Sequence, residues 1–358
     1  MSLLDTTIAR ITPLDEGAMA AARARQLQLT KPPGSLGRLE DLSVWLAGVR
    51  AAERPRVTAP VVVVAAADHG VAAAGVSAYP QAVTAQMVRN FLNGGAAINV
   101  LARQAGARVV VVDAGVLTDP GPHPELVSRR AGAGTADMRS GPAMAREVAR
   151  RVVEDGIALA LELAEQGCDA LAVGDMGIGN TTAAAAVTAA ITGQPPAAVT
   201  GLGTGITPER REHKVRVIEQ ALAVNRPDPA DGLGVLAAVG GFEIGLLAGV
   251  ILGGAARRLP VVVDGFITTA AALIAHALAP GATAYMLAAH RSVEMGHAAA
   301  LAHLGLEPLL DLRLRLGEGT GAVLALPILR AAAAVLDEMT TFAEAGVSDS
   351  DEARGYET

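Results

Sequence analysis

Four short apolar runs, separated by longer stretches with helical periodicity, give the chain an alternating pattern. The runs cover residues 60–66, 108–112, 170–173 and 259–263. Continuous apolar runs are typical of parallel strands that are covered on both faces. The stretches between them predict helices over residues 81–105, 143–165, 181–191, 209–224 and 268–279. Strands that alternate with helices predict a doubly wound α/β fold around a mainly parallel sheet.

The two ends of the chain lack strand patterns and predict helices only. The N-terminal part predicts helices over residues 16–29 and 38–52, which are separated by Pro32 and Pro33 because proline interrupts a helix. The C-terminal part predicts a helix over residues 322–339. A linker around residues 53–59 joins the N-terminal helices to the alternating region.

Each predicted strand is followed by an acidic residue. These residues are Asp68, Asp113, Asp175 and Asp264. Ligands of open α/β sheets bind outside the carboxyl ends of the strands, so these loops are the candidate site. Asp68 and His69 form either an acid/base pair or a strand-end pair bonded to the backbone.

The segment 173–182 is the most informative of these loops. Three glycines between a strand and a helix let the backbone turn sharply and approach a ligand closely. Thr181 or Thr182 is predicted to cap the helix, where free N–H groups favour an anion. Asp175 and Asn180 add an acid and an amide to the same loop. The loop therefore predicts a phosphate site with chemical groups beside it.

A second glycine loop, Gly201-Leu202-Gly203-Thr204-Gly205, precedes a helix that begins with Thr207 as its cap and Pro208 in its first turn. Either this loop cradles a phosphate with Lys214 as the counter-charge, or it is a plain turn before a solvated helix. The first glycine loop favours the phosphate interpretation.

A third loop, Gly317-Glu318-Gly319-Thr320-Gly321, places a carboxylate between glycines. Glycine neighbours would leave this carboxylate approachable, as a general base requires. The alternative is an acid at a helix start, which the helix dipole favours.

Composition excludes several other classes of protein. A net charge of −7 and 2% aromatic residues disfavour nucleic-acid binding. The single cysteine, Cys168, excludes an intrachain disulfide and is predicted to be a buried core residue. Residues 233–256 are apolar enough to span a bilayer, but seven glycines favour tightly packed, buried helices of a soluble core or a subunit interface.

Other signals are weak or missing. His290, Glu294 and His297 are spaced to share one face of a helix, and we favour a structural role over a metal site. The chain has no Walker loop, no dinucleotide fingerprint after its first strand and no nucleophile elbow. These absences disfavour nucleotidases, dinucleotide-dependent dehydrogenases and α/β-hydrolases.

Taken in order, several motifs closely resemble the nicotinate-nucleotide–dimethylbenzimidazole phosphoribosyltransferase family. They are Lys31-Pro32-Pro33-Gly34-Ser35-Leu36-Gly37, Ala67-Asp68-His69-Gly70-Val71, Gly75-Val76-Ser77, Gly177-Ile178-Gly179-Asn180-Thr181-Thr182, Val263-Asp264-Gly265-Phe266 and Leu316-Gly317-Glu318-Gly319-Thr320-Gly321.

This resemblance implies transfer of ribose 5-phosphate from nicotinate mononucleotide to 5,6-dimethylbenzimidazole. The products are nicotinate and α-ribazole 5′-phosphate, for the lower ligand of cobalamin. The resemblance also implies a cytoplasmic homodimer without metal or redox cofactor, which acts on small molecules and not on nucleic acid or membranes. It implies a large, Rossmann-like α/β substrate-binding domain over residues 56–322 and a small helical domain built from residues 1–55 and 323–358.

Site roles follow from the resemblance as expectations. Glu318 is expected to be the general base, and Asp175 to stabilise charge at the ribose, although the family commonly has glutamate at this position. The expected phosphate and ribose ligands are Gly177, Gly179, Asn180, Thr181, Gly203, Thr204 and Lys214. The expected base pocket comprises Ser77, Tyr79, Gln86, Met87 and Leu316.

Two alternatives remain at this stage. One is a nucleotide-dependent oxidoreductase on the same sheet, and the other is a mononucleotide sensor without turnover. The preferred acceptor base stays open, because small apolar differences discriminate weakly between ligands.

Overall fold

A six-stranded sheet is the centre of the fold in the computed structural model, which describes residues 1–203 and 205–348. All neighbouring strands pair in parallel, in the order β3-β2-β1-β4-β5-β6. The strands are β1 (Pro60–Ala67), β2 (Arg108–Gly115), β3 (Leu126–Ser128), β4 (Ala170–Met176), β5 (Val261–Val263) and β6 (Met286–Ala288). The strand order reverses between β1 and β4, where open α/β sheets form a ligand crevice.

The four predicted strands are confirmed, with differences at their ends. β2 and β4 continue through Asp113 and Asp175, so these acids belong to the strands and not to the loops. β3 and β6 were not predicted, because β3 contains only two apolar residues, Leu126 and Val127, and periodicity cannot assign the short apolar run around β6 to a strand or a helix. Both lie at the edges of the sheet.

Helices account for most of the remaining described chain. The α-helices are α1 (Leu3–Ile8), α2 (Glu16–Gln28), α3 (Arg38–Arg50), α4 (Ala82–Leu92), α5 (Ala97–Ala105), α6 (Arg146–Glu165), α7 (Asn180–Thr192), α8 (Pro196–Val199), α9 (Pro208–Asn225), α10 (Gly232–Val239), α11 (Phe242–Ala256), α12 (Phe266–Leu278), α13 (Met295–Leu304), α14 (Thr320–Glu338) and α15 (Phe342–Ala345). Two 3₁₀ helices cover Gly70–Ala74 and Pro280–Tyr285.

One predicted helix is wrong in its extent. The continuous helix expected over residues 81–105 is two helices, α4 and α5, because the chain turns at Gly94 with φ +73°. This break directs the N-terminus of α5 toward the site described below.

The glycine-rich segment 233–256 forms two buried helices, as predicted, and glycines let one of them approach a neighbour closely. A Cβ atom at Gly156 of α6 would lie 1.9 Å from the carbonyl oxygen of Leu246, and one at Gly249 of α11 would lie 2.0 Å from that of Val153. Side chains larger than hydrogen would therefore force α6 and α11 apart. Within the described chain, only α14 is long and apolar enough to cross a membrane; it is largely buried and contains Pro327.

The chain divides into two compact units. The larger comprises Met1–Thr12 and Ala59–Leu326, and so contains the whole sheet. The smaller comprises Pro13–Thr58 and Pro327–Thr358, of which residues 349–358 lie outside the described part.

The smaller unit has its own core, in which Ala22, Val44, Ala47 and Leu336 are buried together. Its Lys31 ammonium lies 2.8 Å from a carboxylate oxygen of Glu40. The same carboxylate accepts hydrogen bonds from the backbone N–H groups of Gly34 and Leu36. A single glutamate therefore fixes the turn that follows the prolines.

Candidate active site

The carboxyl ends of the strands present polar side chains at one edge of the sheet of the larger unit. Asp68 and His69 follow β1, Asp175 lies near the end of β4, Asp264 follows β5, and His290 comes two residues after β6. All five side chains are buried. A buried polar group must find a partner or bind a ligand, so the contacts of these side chains define what the site can do.

The first glycine loop is a tight turn, residues 177–179, which we call the glycine turn. Gly179 has φ +97° and directly precedes α7, which begins at Asn180. The predicted threonine cap is wrong, because the helix begins one residue earlier than expected and its cap residue is Gly179, without a side-chain cap. The N–H groups of Asn180 and Thr182 donate to the carbonyl oxygens of Gly177 and Gly179, so the positive end of the α7 helix dipole is what favours an anionic ligand here.

Lys214 of α9 lies beside this turn. Its ammonium donates a hydrogen bond to Thr181 Oγ1 at 2.7 Å, and the side chain is buried. A Cβ atom at Gly203, where φ is +55°, would lie 3.2 Å from Thr181 Oγ1 and 3.5 Å from Lys214 Nζ. Burial lowers the pKa of Lys214 to about 8, against the opposing charge of Glu294.

A concave surface unites the predicted phosphate ligands that the structure describes. It is lined by Val76, Ser77, Gly177, Ile178, Gly179, Asn180, Thr181, Leu202, Gly203, Ile206 and Lys214. The expected ligand Thr204 lies outside the described residues. The surface combines one ammonium group, a helix N-terminus and backbone N–H groups, which together suit a phosphate.

An adjoining cavity shares part of this wall and is more apolar. Its lining includes Asp175, Asn180, Phe266, Ile267, His290, Ser292, Glu294, Arg315, Leu316 and Gly317. Apolar side chains such as Phe266, Ile267 and Leu316, together with the carboxylates of Asp175 and Glu294, suit a planar organic base that loses a proton.

Asp175 lines this cavity. Its Oδ2 accepts a hydrogen bond from the side-chain amide of Asn180 at 2.9 Å. A Cβ atom at Gly317 would lie 3.2 Å from both carboxylate oxygens of Asp175, so a larger residue at position 317 would force this carboxyl group to shift. Burial and the nearby charges of Asp264 and Glu243 raise the pKa of Asp175 well above its ordinary value.

Glu318 stands at the centre of a strained loop, residues 317–319, which we call the Glu318 loop. Three consecutive residues have positive φ: +85° at Gly317, +63° at Glu318 and +88° at Gly319. Such a conformation costs a non-glycine residue about 1–3 kcal/mol, and strain of this kind clusters at functional sites. Glu318 therefore occupies a position whose backbone conformation glycine would adopt at lower energetic cost.

The Glu318 side chain is less open than its glycine neighbours suggested. It is only 4% exposed, and its Oε2 accepts a hydrogen bond from the backbone N–H of Ile98 at the start of α5, at 3.3 Å. The expectation of an approachable carboxylate is therefore wrong. Burial raises the pKa of Glu318, and the charge of Asp264 raises it further.

Strand β4 supports the Glu318 loop directly. A Cβ atom at Gly174 would lie 2.4 Å from the carbonyl oxygen of Glu318, so the loop backbone rests on the strand. From β5, Asp264 accepts hydrogen bonds from the N–H groups of Gly319 and Ala322, at 3.2 and 2.9 Å. These two hydrogen bonds fix the backbone at the start of α14.

The histidines and the glutamate of the 290–297 segment do not share a helix face, contrary to the spacing argument. α13 begins at Met295, so His290 and Glu294 precede it. His297 accepts a hydrogen bond from the N–H of Ser292 through Nδ1 and bonds Thr269 Oγ1 through Nε2, at 2.9 and 3.0 Å. Because Nδ1 accepts, Nε2 carries the proton in the neutral ring, and burial lowers the pKa of His297 to about 3. Within the described part of the chain, no three His, Cys, Asp or Glu residues form a metal-binding group.

Glu294 and Arg315 were missed from the sequence as site residues. Glu294 is buried beside Lys214; burial raises its pKa, whereas the lysine charge lowers it. Arg315 donates a hydrogen bond to the carbonyl oxygen of Gly203 at 3.2 Å and so links the second glycine loop to the segment before Glu318. The available signals were the spacing of Glu294 from His290 and His297 and the position of Arg315 directly before the Leu316-Gly317-Glu318 motif.

Of the five expected base-pocket residues, two line one of the cavities and three do not. Ser77 lines the phosphate-side surface, and Leu316 lines the apolar cavity. Tyr79 is 52% exposed, Gln86 is exposed and Met87 is half-buried, and none of them lines either cavity.

Cys168 is buried as predicted, and burial raises its pKa to about 11, which makes it a poor nucleophile.

Comparison with known proteins identifies the relatives of this chain. A family model described as "Phosphoribosyltransferase" matches residues 11–347. The chain is 64% identical to the nicotinate-nucleotide–dimethylbenzimidazole phosphoribosyltransferase of Chloroflexus aurantiacus, over 98% of this chain and 99% of the relative. It is 64% identical to the protein of the same name from Roseiflexus sp., over 97% of this chain and 99% of that relative.

A solved structure supports the same grouping. The crystal structure of the enzyme of this name from Thermus thermophilus aligns with a TM-score of 0.89 at 50% identity, covering 94% of this chain and all of that chain. The chain therefore belongs to the nicotinate-nucleotide–dimethylbenzimidazole phosphoribosyltransferase family.

Proposed function

We propose that this protein transfers the ribose 5-phosphate group of nicotinate mononucleotide to 5,6-dimethylbenzimidazole, in the synthesis of the lower ligand of cobalamin. The products are nicotinate and α-ribazole 5′-phosphate. One observation carries the proposal: an anion-binding surface with Lys214 adjoins an apolar cavity that contains Asp175, directly beside the Glu318 loop. Neither alternative from the sequence, the oxidoreductase or the sensor, gains support from the relatives.

The phosphate of the mononucleotide would bind at the glycine turn. Backbone N–H groups around Gly177 and Gly179, the side chains of Asn180 and Thr181, and the Lys214 ammonium would supply its donors, with Gly203 giving close access. Thr181 already accepts from Lys214, which orients that ammonium for a ligand. Thr204 is expected to contribute as well.

Asp175 would act at the ribose. Positive charge develops at C1′ as the bond to the pyridinium nitrogen weakens, and a fixed carboxylate in a buried site stabilises that charge. The amide of Asn180 holds the Asp175 carboxyl group toward the cavity. Because the pKa of Asp175 is raised, a cationic substrate that binds beside it would favour its ionised form.

Glu318 would act as the base. As the benzimidazole nitrogen forms its bond to C1′, the bond from C1′ to the nicotinate nitrogen breaks and its electron pair stays with nicotinate. The attacking nitrogen is the unprotonated one, and the proton on the second ring nitrogen passes to the Glu318 carboxylate. Protons and charge therefore balance. Attack from the face opposite to nicotinate converts the β configuration into α in one displacement.

The planar base would lie among Phe266, Ile267 and Leu316, which line the apolar cavity. Ser77, Tyr79, Gln86 and Met87 remain proposed contacts of the base. We further propose that the enzyme works as a cytoplasmic homodimer with its substrate site in the larger unit.

Purified protein mixed with both substrates provides the test, with products separated by chromatography and identified by mass. Equal amounts of nicotinate and a ribazole phosphate would support the proposal. Binding of the mononucleotide without turnover would favour the sensor. A change in nicotinamide-cofactor absorbance would favour the oxidoreductase.

A further inference from the structure

The buried pair of His69 and Glu243 has no part in the proposed chemistry. Both side chains are fully buried, and His69 Nε2 lies 2.8 Å from Glu243 Oε1. His69 follows β1, and Glu243 lies in the first turn of α11. Two ionisable groups buried together carry a desolvation cost, and mutual pairing alone gives weak evidence of a stabilising role.

The histidine ring packs against the glycine turn. A Cβ atom at Gly177 would lie 3.4 Å from His69 Nε2, and one at Gly179 would lie 3.3 Å from His69 Cβ. A Cβ atom at Gly241 would lie 2.4 Å from His69 Cε1. Gly177 and Gly241 thus border the ring closely, and the bond to Glu243 fixes its orientation.

The residue before His69 supports the same turn by a separate route. Asp68 Oδ1 accepts a hydrogen bond from Thr84 Oγ1 at 2.8 Å. The same hydroxyl oxygen accepts from the N–H of Ile178, the middle residue of the glycine turn, at 3.1 Å. Two consecutive residues at the end of β1 therefore reach one turn at the end of β4, across the point where the strand order reverses.

The charged form of His69 is favoured by the carboxylate that the ring contacts. Burial alone would lower the pKa of His69, but the Glu243 carboxylate and its hydrogen bond raise it above the ordinary value. The start of a helix favours the carboxylate of Glu243. If His69 were removed, Glu243 would remain as an unpaired carboxylate near Asp175, whose pKa it already raises.

We propose that His69 and Glu243 are positioning residues that hold the glycine turn in the conformation that receives the phosphate of the mononucleotide. This inference rests on the proposed function. It predicts a larger defect for the phosphate-bearing substrate than for the acceptor base, because all three residues of the glycine turn line the phosphate-side surface, whereas only Gly177 and Ile178 line the apolar cavity.

Two amide variants form a matched test. In His69→Gln the side-chain nitrogen reaches the position of imidazole Nε2 and keeps the bond to Glu243, whereas the shorter His69→Asn cannot. We expect H69N to raise KM for nicotinate mononucleotide about tenfold, with KM for dimethylbenzimidazole within about threefold. H69Q should stay within about threefold of wild type for both substrates. H276N is the control, since His276 bonds Thr283 at 2.8 Å outside the residues that line either cavity.

A double variant separates positioning from stability. Replacing both partners by apolar groups, H69L with E243M, removes the unpaired charge, so thermal stability should recover relative to H69L alone. The raised KM for the mononucleotide should persist, because no bond fixes the side chain behind the turn. Recovery of KM together with stability, or an equal rise of KM for both substrates, would overturn the inference.

Failure of the proposed function would be recognisable independently. If wild-type protein makes no product, calorimetric titration with nicotinate mononucleotide alone still compares the variants. A Kd about tenfold weaker in H69N than in H69Q would uphold the pair's role, and equal Kd values would overturn it.

Discussion

Replacing Glu318 by glutamine tests the base assignment with little structural change. The amide oxygen of glutamine can still accept the hydrogen bond from the Ile98 N–H, which measures 3.3 Å in the structure. The positive φ of the Glu318 loop is also retained, so the strain is unchanged. What the variant loses is the ability to take the benzimidazole proton. A general base contributes about 10²–10⁴-fold, and kcat should fall by that factor, equivalent to about 3–5 kcal/mol in the barrier.

The assay should measure kcat by nicotinate release and mononucleotide affinity by calorimetry. Kd for the mononucleotide is expected to stay within about threefold of wild type, because Glu318 does not face the phosphate. The exposed Glu165→Gln variant is the control for loss of a carboxylate elsewhere. A Glu318→Gln enzyme with kcat within about threefold of wild type would refute the base role.

Stability provides an independent check on this variant. Burial raises the pKa of Glu318, so the folded state binds its proton more tightly than the unfolded state. The stability that this group contributes is present at low pH and is lost as pH rises through the raised pKa. Burial of this carboxyl group therefore costs stability at higher pH, and Glu318→Gln should melt no lower than wild type at neutral pH. A much lower Tm would mean that lost activity reflects structural damage.

Three further predictions concern the residues around the base and the phosphate. Lys214→Ala should weaken mononucleotide binding by about 1.5–3 kcal/mol without an equal effect on dimethylbenzimidazole, whereas Arg216→Ala, on the exposed side of the same helix, should change neither Kd. Because the pKa of Lys214 is lowered to about 8, mononucleotide affinity should fall as pH rises through about 8, and a Kd that stays constant from about pH 6.5 to about 9.5 would contradict the charge assignment. Gly174→Ala should cost about 1–3 kcal/mol in urea unfolding and lower kcat by displacing Glu318, while Gly281→Ala, with its nearest neighbour 3.6 Å away, should do neither.

The sheet was largely predictable because buried parallel strands have a strong apolar signature. The valine-rich runs of β1 and β2 gave their starting residues directly. β3 and β6 were not predictable, since β3 has only two apolar residues and the short apolar run around β6 fits a strand or a buried helix segment equally well. The split of α4 from α5 was also missed, although Gly94 and Gly95 mark it in the sequence.

The parts of the candidate site whose backbone geometry depends on glycine were predictable from the sequence. The parts that depend on burial by segments distant in the chain were less predictable. The glycine turn and the Glu318 loop follow from glycine spacing, and Thr207 caps α9 as expected. The burial of Glu318 depends on Ile98 of α5, which lies 220 residues earlier in the chain. The helix face expected for His290, Glu294 and His297 was wrong because spacing alone does not show where a helix begins.

The configuration of the product tests the central claim most directly. Wild-type enzyme would be incubated with nicotinate mononucleotide and dimethylbenzimidazole, and the ribazole phosphate examined by proton NMR at C1′. A single displacement with Glu318 as base predicts the α anomer only, formed in equal amount with nicotinate. A β anomer, or nicotinate released with free ribose 5-phosphate, would contradict direct transfer to the benzimidazole.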